Sequence, residues 1–455
     1  MPRMRVLTGL DQPTLAAGFF DSDLLISSHA FPAKPLIPEA AFNAAGEYFA
    51  SLAPDKLESI QRQELIRVGL KGFKTQILSN RHAPPLTTLV QIDPIEHRLF
   101  LGDATFQGIT VFNAAGEEES SFPLGNIPVS LQRRDAGFWF ACIGHFFPRE
   151  QPRGQVLFVK PTPEGLTRTV IAEGLPRLSD IQIADLNGDG RPDFVLCVFG
   201  NYVGRCGWWE QKPDGTYFEH VLMDKPGALR SAVRDIDGDG HPDIAVLIAQ
   251  ATESMFVFSG DGKGAFSPHL LWQKPPSWGH SGFDFADFDG DGKTDILVTN
   301  GDNADFSTSP PKRSHGVRIM LNRGQWKFEE AWFGPMNGAY RAVARDFDLD
   351  GDLDIAAVSF FPDYDASPRE SFILFENVSG PGAKQGRFRF EPSTFPECIV
   401  GRWLTLDVGD LDGDGDDDIA LGSLIRMPVK VPDFLKDNWE KTGPSAVILR
   451  NMAKP

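Results

Sequence analysis

The sequence is poor in cysteine, tyrosine, positive charge and long apolar runs. Its four cysteines are Cys142, Cys197, Cys206 and Cys398. None lies in a CxxC pair or a CxxCH haem-attachment site, so neither metal knuckle nor covalent haem is written into this stretch. Cys197 and Cys206 are close enough to pair across neighbouring strands, although buried free thiols are the plainer reading. No window reaches the ~18 apolar residues of a membrane span. The best N-terminal apolar run, residues 14–20, is short and bracketed by Asp11 and Asp21, unlike a signal peptide. Basic residues number 44 against 62 acidic ones, a formal charge of −18 that argues against nucleic acid as a partner. Tyrosine is scarce (5) while phenylalanine is abundant (36), which suggests aromatics used for burial more than for display.

What the chain has instead is repetition. Five segments spell nearly the same nine residues: DLNGDGRPD from Asp185, DIDGDGHPD from Asp235, DFDGDGKTD from Asp287, DFDLDGDLD from Asp346 and DLDGDGDDD from Asp410. Each sets carboxylates or an Asn amide at positions 1, 3, 5 and 9, with glycine at position 6. Crowding so many acidic oxygens into one bend costs repulsion unless a cation sits among them. Ca²⁺, which accepts six to eight hard oxygen ligands in loose geometry, is the natural candidate. Five such ions would bring the net charge to about −8. Metal-free Asx turns explain one Asp per loop, not four. An EF-hand requires Glu at position 12, where this chain has Leu196, Val246, Val298, Ala357 and Leu421.

The repeats start 50, 52, 59 and 64 residues apart. An apolar strand follows each at once, an alternating strand precedes it, and two more strands come later, such as residues 317–321 and 217–222. Four short strands per ~50 residues is the pattern of a β-propeller blade. Residues 87–113 and 129–159 keep the strand rhythm without the acidic loop, which brings the expected total to seven blades. The last blade ends at its third strand, residues 446–450. The spare strand at residues 73–78 is expected to complete it and remove the exposed edge. Residues 1–68 form a separate extension, with a helix expected over 38–52 and a short helix or linker over 56–68. The fold class read from the sequence is therefore all-β: a seven-bladed propeller of four-stranded blades over residues 69–455, with a short α-helical N-terminal segment.

In register over this region, the five motifs resemble the FG-GAP (VCBS) repeat family, whose propellers include the integrin alpha head. The family's Phe-Gly and Gly-Ala-Pro dipeptides are poorly kept, so the chain looks like a bacterial-type member. The resemblance implies side-chain Ca²⁺ ligands at Asp185, Asn187, Asp189 and Asp193; Asp235, Asp237, Asp239 and Asp243; Asp287, Asp289, Asp291 and Asp295; Asp346, Asp348, Asp350 and Asp354; and Asp410, Asp412, Asp414 and Asp418. It implies backbone carbonyl ligands from Arg191, His241, Lys293, Asp352 and Asp416. The N-terminal stretch, with Phe31 to Pro35 and Tyr48 to Leu57, also looks like the tail of a c-type cytochrome unit. That likeness implies a haem motif and export signal upstream and makes such a cytochrome a conceivable partner.

A second recurrence is basic. Arg177, Arg230, His280, Arg341 and Arg402 lie five to eight residues before the motifs, near the start of each blade's first strand. A ring of cations at one channel mouth would favour an anionic or sugar ligand; unrelated salt bridges to acids such as Asp180 and Asp284 are the plainer alternative. Trp208, Trp209, Trp272, Trp278 and Tyr340 could stack on sugars but fit blade core better. Residues 260–266 read as a hairpin turn, not a phosphate loop. The expected function is non-catalytic binding of carbohydrate, protein or a redox partner at the channel face, by a monomer outside the cytoplasm. A Ca²⁺-dependent polysaccharide lyase on the same scaffold is the alternative.

Overall fold

The computed structural model describes residues 62–454 except 79–83, 135–136, 148, 150, 163–164, 201, 251, 305–309 and 427–428. The helix expected over 38–52 lies outside the described residues. The described chain is a seven-bladed β-propeller in which each blade is a four-stranded antiparallel sheet. Blade 1 runs Thr87–Asp93, Arg98–Asp103, Gly108–Phe112 and Glu118–Pro123, and blade 2 runs Pro128–Arg134, Gly137–Cys142, Gly154–Thr162 and Gly165–Leu175. These are the two blades whose sequences lack the acidic loop.

Blade 3 begins with Leu178–Ala184, blade 4 with Ala228–Arg234, blade 5 with His280–Ala286, blade 6 with Ala339–Arg345 and blade 7 with Trp403–Gly409. Each first strand touches the first strands of both neighbouring blades, so the seven close into an inner ring around the channel. The second strands carry the apolar runs. Asp193–Val198, Asp295–Asn300, Asp354–Ser359 and Asp418–Ser423 are buried at every position, as befits a strand covered by a blade on each side. The outermost strands are far less covered, as in Tyr217–Met223, which has no buried position.

Blade 7 is assembled from both chain ends. Phe73–Leu78 pairs antiparallel with Ala446–Asn451, Gln76 opposite Ile448, as expected from the sequence. Upstream, a helical turn at 62–65 leads into Arg67–Val68, which adds a fifth, parallel strand to the outer edge of blade 6. This strap is pinned by Arg62, whose Nε donates to the buried Glu370 at 3.0 Å. A helix at Asp433–Thr442, which the sequence reading missed, fills the connection between the second and third strands of blade 7. It buries Leu435 and Trp439, four residues apart on one face.

Every first strand also carries an irregularity at the same place. The register slips by one residue at Thr88, Val129, Ser179, Leu229, Ser281, Tyr340 and Leu404. Three of these bulged residues stitch their blade to the next. Thr88 Oγ1 donates to Pro128 O at 2.6 Å, Ser179 Oγ to Ala228 O at 2.9 Å and Ser281 Oγ to Ala339 O at 2.8 Å. A bulge turns a side chain that would point across the sheet toward the neighbouring blade.

Ile448 is fully buried in the core shared by blades 7 and 1. Truncating it (Ile448→Ala) is expected to cost about 2–5 kcal/mol in urea or guanidinium unfolding. A loss well under that range would mean that the strand from the N-terminal side does not close the ring.

Candidate metal centres and the channel

The five acidic loops join first to second strands in blades 3 to 7, so all lie at one end of the propeller. Within each, position 1 closes the bend. Asp185 Oδ1 accepts the N–H groups of Gly188 (2.8 Å) and Asp189 (3.1 Å), and its Oδ2 accepts that of Gly190 (2.8 Å). Asp235, Asp287, Asp346 and Asp410 bind the N–H of Gly240, Gly292, Gly351 and Gly415 in the same way, at 2.9–3.1 Å. The position-5 carboxylates, Asp189, Asp239, Asp291, Asp350 and Asp414, accept the N–H of Arg191, His241, Lys293, Asp352 and Asp416 at 2.8–3.1 Å.

These bonds turn the carboxylates of positions 1, 3 and 5 together. In four loops (Asp235, Asp237 and Asp239; Asp287, Asp289 and Asp291; Asp346, Asp348 and Asp350; Asp410, Asp412 and Asp414) three acidic oxygens lie within 4.8 Å of one another. The first loop repeats the hydrogen bonds with Asn187 in the middle place, its Oδ1 accepting the Asp189 N–H at 3.1 Å. Such clusters could hold a metal ion. The donor set fits a hard cation, because Asp289 Oδ1, Asp352 Oδ1 and Asp416 Oδ1 are buried with no hydrogen-bond donor among the described residues. Burial, with repulsion from Asp350, Asp348 and Asp346 added, pushes Asp352 up to about 6. A divalent charge among these oxygens would reverse that repulsion.

Position 9 is built differently. Asp193, Asp243, Asp295, Asp354 and Asp418 are all at most 2% exposed. One oxygen of each accepts the N–H of position 2: Leu186 (3.1 Å), Ile236 (2.8 Å), Phe288 (2.9 Å), Phe347 (3.2 Å) and Leu411 (3.2 Å). The other oxygen accepts an N–H from the third strand or its end: Gln211 (2.8 Å), Gly260 (3.0 Å), Asn322 (2.8 Å), Asn377 (2.7 Å) and Asn451 (2.8 Å). These carboxylates lie beneath the clusters and bolt each loop to its own blade. Burial pushes Asp243, Asp295 and Asp418 up to about 6 and Asp354 up to about 7.

The loops differ in their basic neighbours. Arg191 pairs with Asp189, Lys293 with Asp291, Arg323 with Asp289 at 3.5 Å, and Arg450 with Asp412 at 3.7 Å and Asp418 at 3.2 Å. Among the described residues, Asp235, Asp237, Asp239, Asp346, Asp348 and Asp350 have no ion pair. The Asp346 loop also lacks the first glycine. Leu349 there adopts φ +62°, where the equivalent glycines show +70° to +82°, a strained state for a residue with a Cβ.

The five basic residues singled out in the sequence do not form one ring. Arg230 and Arg341 hold equivalent register positions, just past the bulges of blades 4 and 6. Burial lowers the Arg341 guanidinium to about 10. Arg230 adds to that shift, while Asp407, Asp284 and Asp180 oppose it. Those acids are themselves inter-blade staples. Asp180 accepts the Ser231 N–H at 2.8 Å, Asp284 the Ala344 N–H at 3.4 Å and Asp407 the Ile92 N–H at 2.8 Å. The channel wall thus mixes both signs. Arg177 precedes its strand and lies over Phe199 at 5.5 Å. Arg402 also precedes its strand, only 1% exposed, its Nε donating to Phe360 O at 3.1 Å and its guanidinium 4.1 Å from the Phe360 ring centre. His280 turns into the joint between blades 4 and 5, where Trp272 Nε1 donates to its Nε2 at 3.3 Å. Burial lowers it to about 3, so it is neutral near pH 7.

The aromatic candidates are spread rather than gathered. Trp208 is 2% exposed and stacks on His220 at 4.2 Å, Trp272 meets Phe328 at 6.4 Å, and Tyr340 packs on Phe360 at 5.7 Å. Trp278 carries Lys274 and Arg318 on its ring at 4.8 and 4.6 Å. All four cysteines are free and buried, with Cys197 directly opposite Cys206 in the sheet. Residues 260–266 are the hairpin turn expected, closed by the Asp261 N–H to Ala265 O at 3.1 Å.

Fold and loops together define a propeller with acid-lined bends in five of its blades. The family model described as FG-GAP-like repeat matches residues 185–246 and 235–298, which contain the first three bends. The chain carries FG-GAP-like repeats in a seven-bladed β-propeller and is consistent with an FG-GAP repeat protein. No curated protein matches it. Among solved structures it is similar to BBS1N in the crystal structure of its complex with ARL6DN, with a TM-score of 0.49, 9% identity, and 85% of this chain and 98% of that chain covered. It is also similar to a putative 6-phosphogluconolactonase from Bacteroides fragilis, with a TM-score of 0.45, 10% identity, and 68% of this chain and 84% of that chain covered. These are distant likenesses of shape and none bears on a ligand. No helix among the described residues is long and apolar enough to cross a membrane.

Two substitutions separate the parts of a loop. Asp243→Ala orphans the N–H groups of Ile236 and Gly260, at about 1–3 kcal/mol each, and should destabilise strongly even in chelator. Asp239→Ala opens an exposed position to water and should cost under ~1 kcal/mol in chelator. Equal losses in chemical unfolding would refute this division. Leu349→Gly should raise stability by about 1 kcal/mol by relieving the positive φ.

Proposed function

We propose that this protein is a Ca²⁺-stapled β-propeller acting as a non-catalytic binding module for carbohydrate, protein or a redox partner. The observation that carries the metal is the set of buried, donorless carboxylate oxygens of Asp289, Asp352 and Asp416 beside acid clusters drawn to within 4.8 Å. Hard oxygens in flexible loops suit Ca²⁺ better than Mg²⁺, which demands stricter octahedral geometry. The side chains of positions 1, 3 and 5 would hold the ion, and the ion would supply charge neutralisation and folding energy. The Asp235 and Asp346 loops, free of basic competitors, would fill first. Sites of this kind work where Ca²⁺ is plentiful, which favours a place outside the cytoplasm.

The ligand surface would lie at the opposite end, where second-to-third strand connections are long. An apolar collar runs there from Ala304 of blade 5 through Phe360 and Phe361 of blade 6 and Leu424 and Val429 of blade 7 to Leu86 of blade 1 and Phe146 of blade 2. The loops stapled by the ion would thus hold the blades while leaving the collar end open to a partner.

Calcium titration followed by calorimetry tests the reading. Each site held at about 100 times its dissociation constant adds ~2.7 kcal/mol, so the melting temperature should climb with Ca²⁺ and fall in chelator. Binding heats should approach five equivalents and drop by one in Asp239→Asn. A melting curve that ignores both Ca²⁺ and chelator would falsify the staple. New ultraviolet absorbance from acidic polysaccharide would replace the module with a lyase.

A further inference from the structure

At the collar end, the connections of blades 7, 1 and 2 enclose a half-open cavity of about 270 Å³. Leu86, Ala104, Ile127, Phe146, Phe147 and Leu424 supply its apolar lining. Arg149 and Arg426 also line it, and both are exposed. The walls are set by backbone bonds. Ala104 N–H donates to Leu86 O at 2.9 Å, and Asn126 Oδ1 accepts the N–H of Ile127 at 2.8 Å and of Gly144 at 3.0 Å. Asp103 Oδ1, accepting Thr105 and Phe106 N–H at 2.7 Å, shapes the blade 1 turn beneath it.

Two features of this cavity bear on what it could hold. The chain is strongly acidic, at −18, yet neither Arg149 nor Arg426 has an ion-pair or hydrogen-bond partner among the described residues. The acidity has not been spent on neutralising them. Phe147 is 46% exposed and lines the same cavity. Two guanidinium groups and an apolar lining around one cavity match a ligand with a carboxylate at one end and an apolar body at the other. The space holds about nine waters at ~30 Å³ each, enough for one aromatic ring with a short acid arm.

We propose that this cavity binds a small carboxylic acid with an apolar body, its carboxylate held by Arg149 and Arg426 and its body lying against Phe146, Phe147 and Leu424. The proposal deepens the binding-module reading and rests on it, but it is independent of the metal and of the channel arginines. The bulk negative charge repels anions generally, and the two guanidinium groups, unpaired among the described residues, reverse that field locally. Selectivity therefore requires both halves of the ligand: acetate lacks the body and an alcohol of the same shape lacks the charge.

Hydrocinnamate, the phenylpropanoate anion, is the probe, tested by ligand-observed NMR and calorimetry on the full chain in Ca²⁺. It should bind at least about tenfold more tightly than either acetate or hydrocinnamyl alcohol, the factor a single charge-assisted contact of ~1.4 kcal/mol supplies. The double variant Arg149→Gln, Arg426→Gln should bind acid and alcohol alike. Ala104→Trp, which fills the floor, should lose both. The melting curve of the arginine double variant should match the parent, since both arginines are exposed and unpaired among the described residues. Equal affinity of the parent for acid and alcohol, or acid binding unchanged in the arginine double variant, would overturn the proposal. So would absence of any hydrocinnamate binding at low-millimolar concentration. If a carbohydrate or protein ligand is still captured in those cases, this pocket falls while the module stands.

Discussion

The structure depends on one buried carboxylate per acidic loop. Asp193, Asp243, Asp295, Asp354 and Asp418 each accept an N–H from their own loop and a second from the third strand. Both contacts are nearly dry, so losing either leaves an unpaired donor in the core, which is costlier than losing a surface bond. The bend above is thereby held in the shape that draws positions 1, 3 and 5 together. On the proposed reading, a cation would settle into a scaffold already shaped by hydrogen bonds. The unpaired buried oxygens mark where that scaffold leaves acceptors over.

Much of this was legible because it is local. Five blades followed from apolar runs placed directly after each bend, since a strand buried on both faces must be apolar throughout, and two more from the strand rhythm of residues 87–113 and 129–159. Ring closure followed from a strand deficit in the last blade and a surplus at residues 73–78. Less legible was whatever depends on partners far along the chain. The second hydrogen bond of each position-9 carboxylate comes from 17 to 33 residues away. The seven aligned bulges share no residue type, running from Thr88 and Ser281 to Leu229 and Tyr340, so no composition signal marks them. The helix at Asp433–Thr442 and the fifth strand at Arg67–Val68 are insertions that the repeat does not encode.

The basic residues show how spacing misleads. Offsets of five to eight residues looked like scatter around one level, but they span distinct environments. His280 sits one register step from the bulge and turns into a blade joint, whereas Arg230 and Arg341 sit past it, Arg341 within the field of Arg230, Asp407, Asp284 and Asp180. The acids there are occupied with backbone N–H groups of the adjoining blade. The channel wall is therefore largely a network that joins blades.

The two-ended construction of blade 7 has a consequence for biosynthesis. Phe73–Leu78 leaves the ribosome among the first described strands, yet its neighbour Ala446–Asn451 follows all the others. Throughout elongation the nascent sheet therefore carries open hydrogen-bonding edges, and the defining pairing has a sequence separation near the length of the domain. High contact order slows collapse to the native topology, and unpaired edges invite intermolecular pairing.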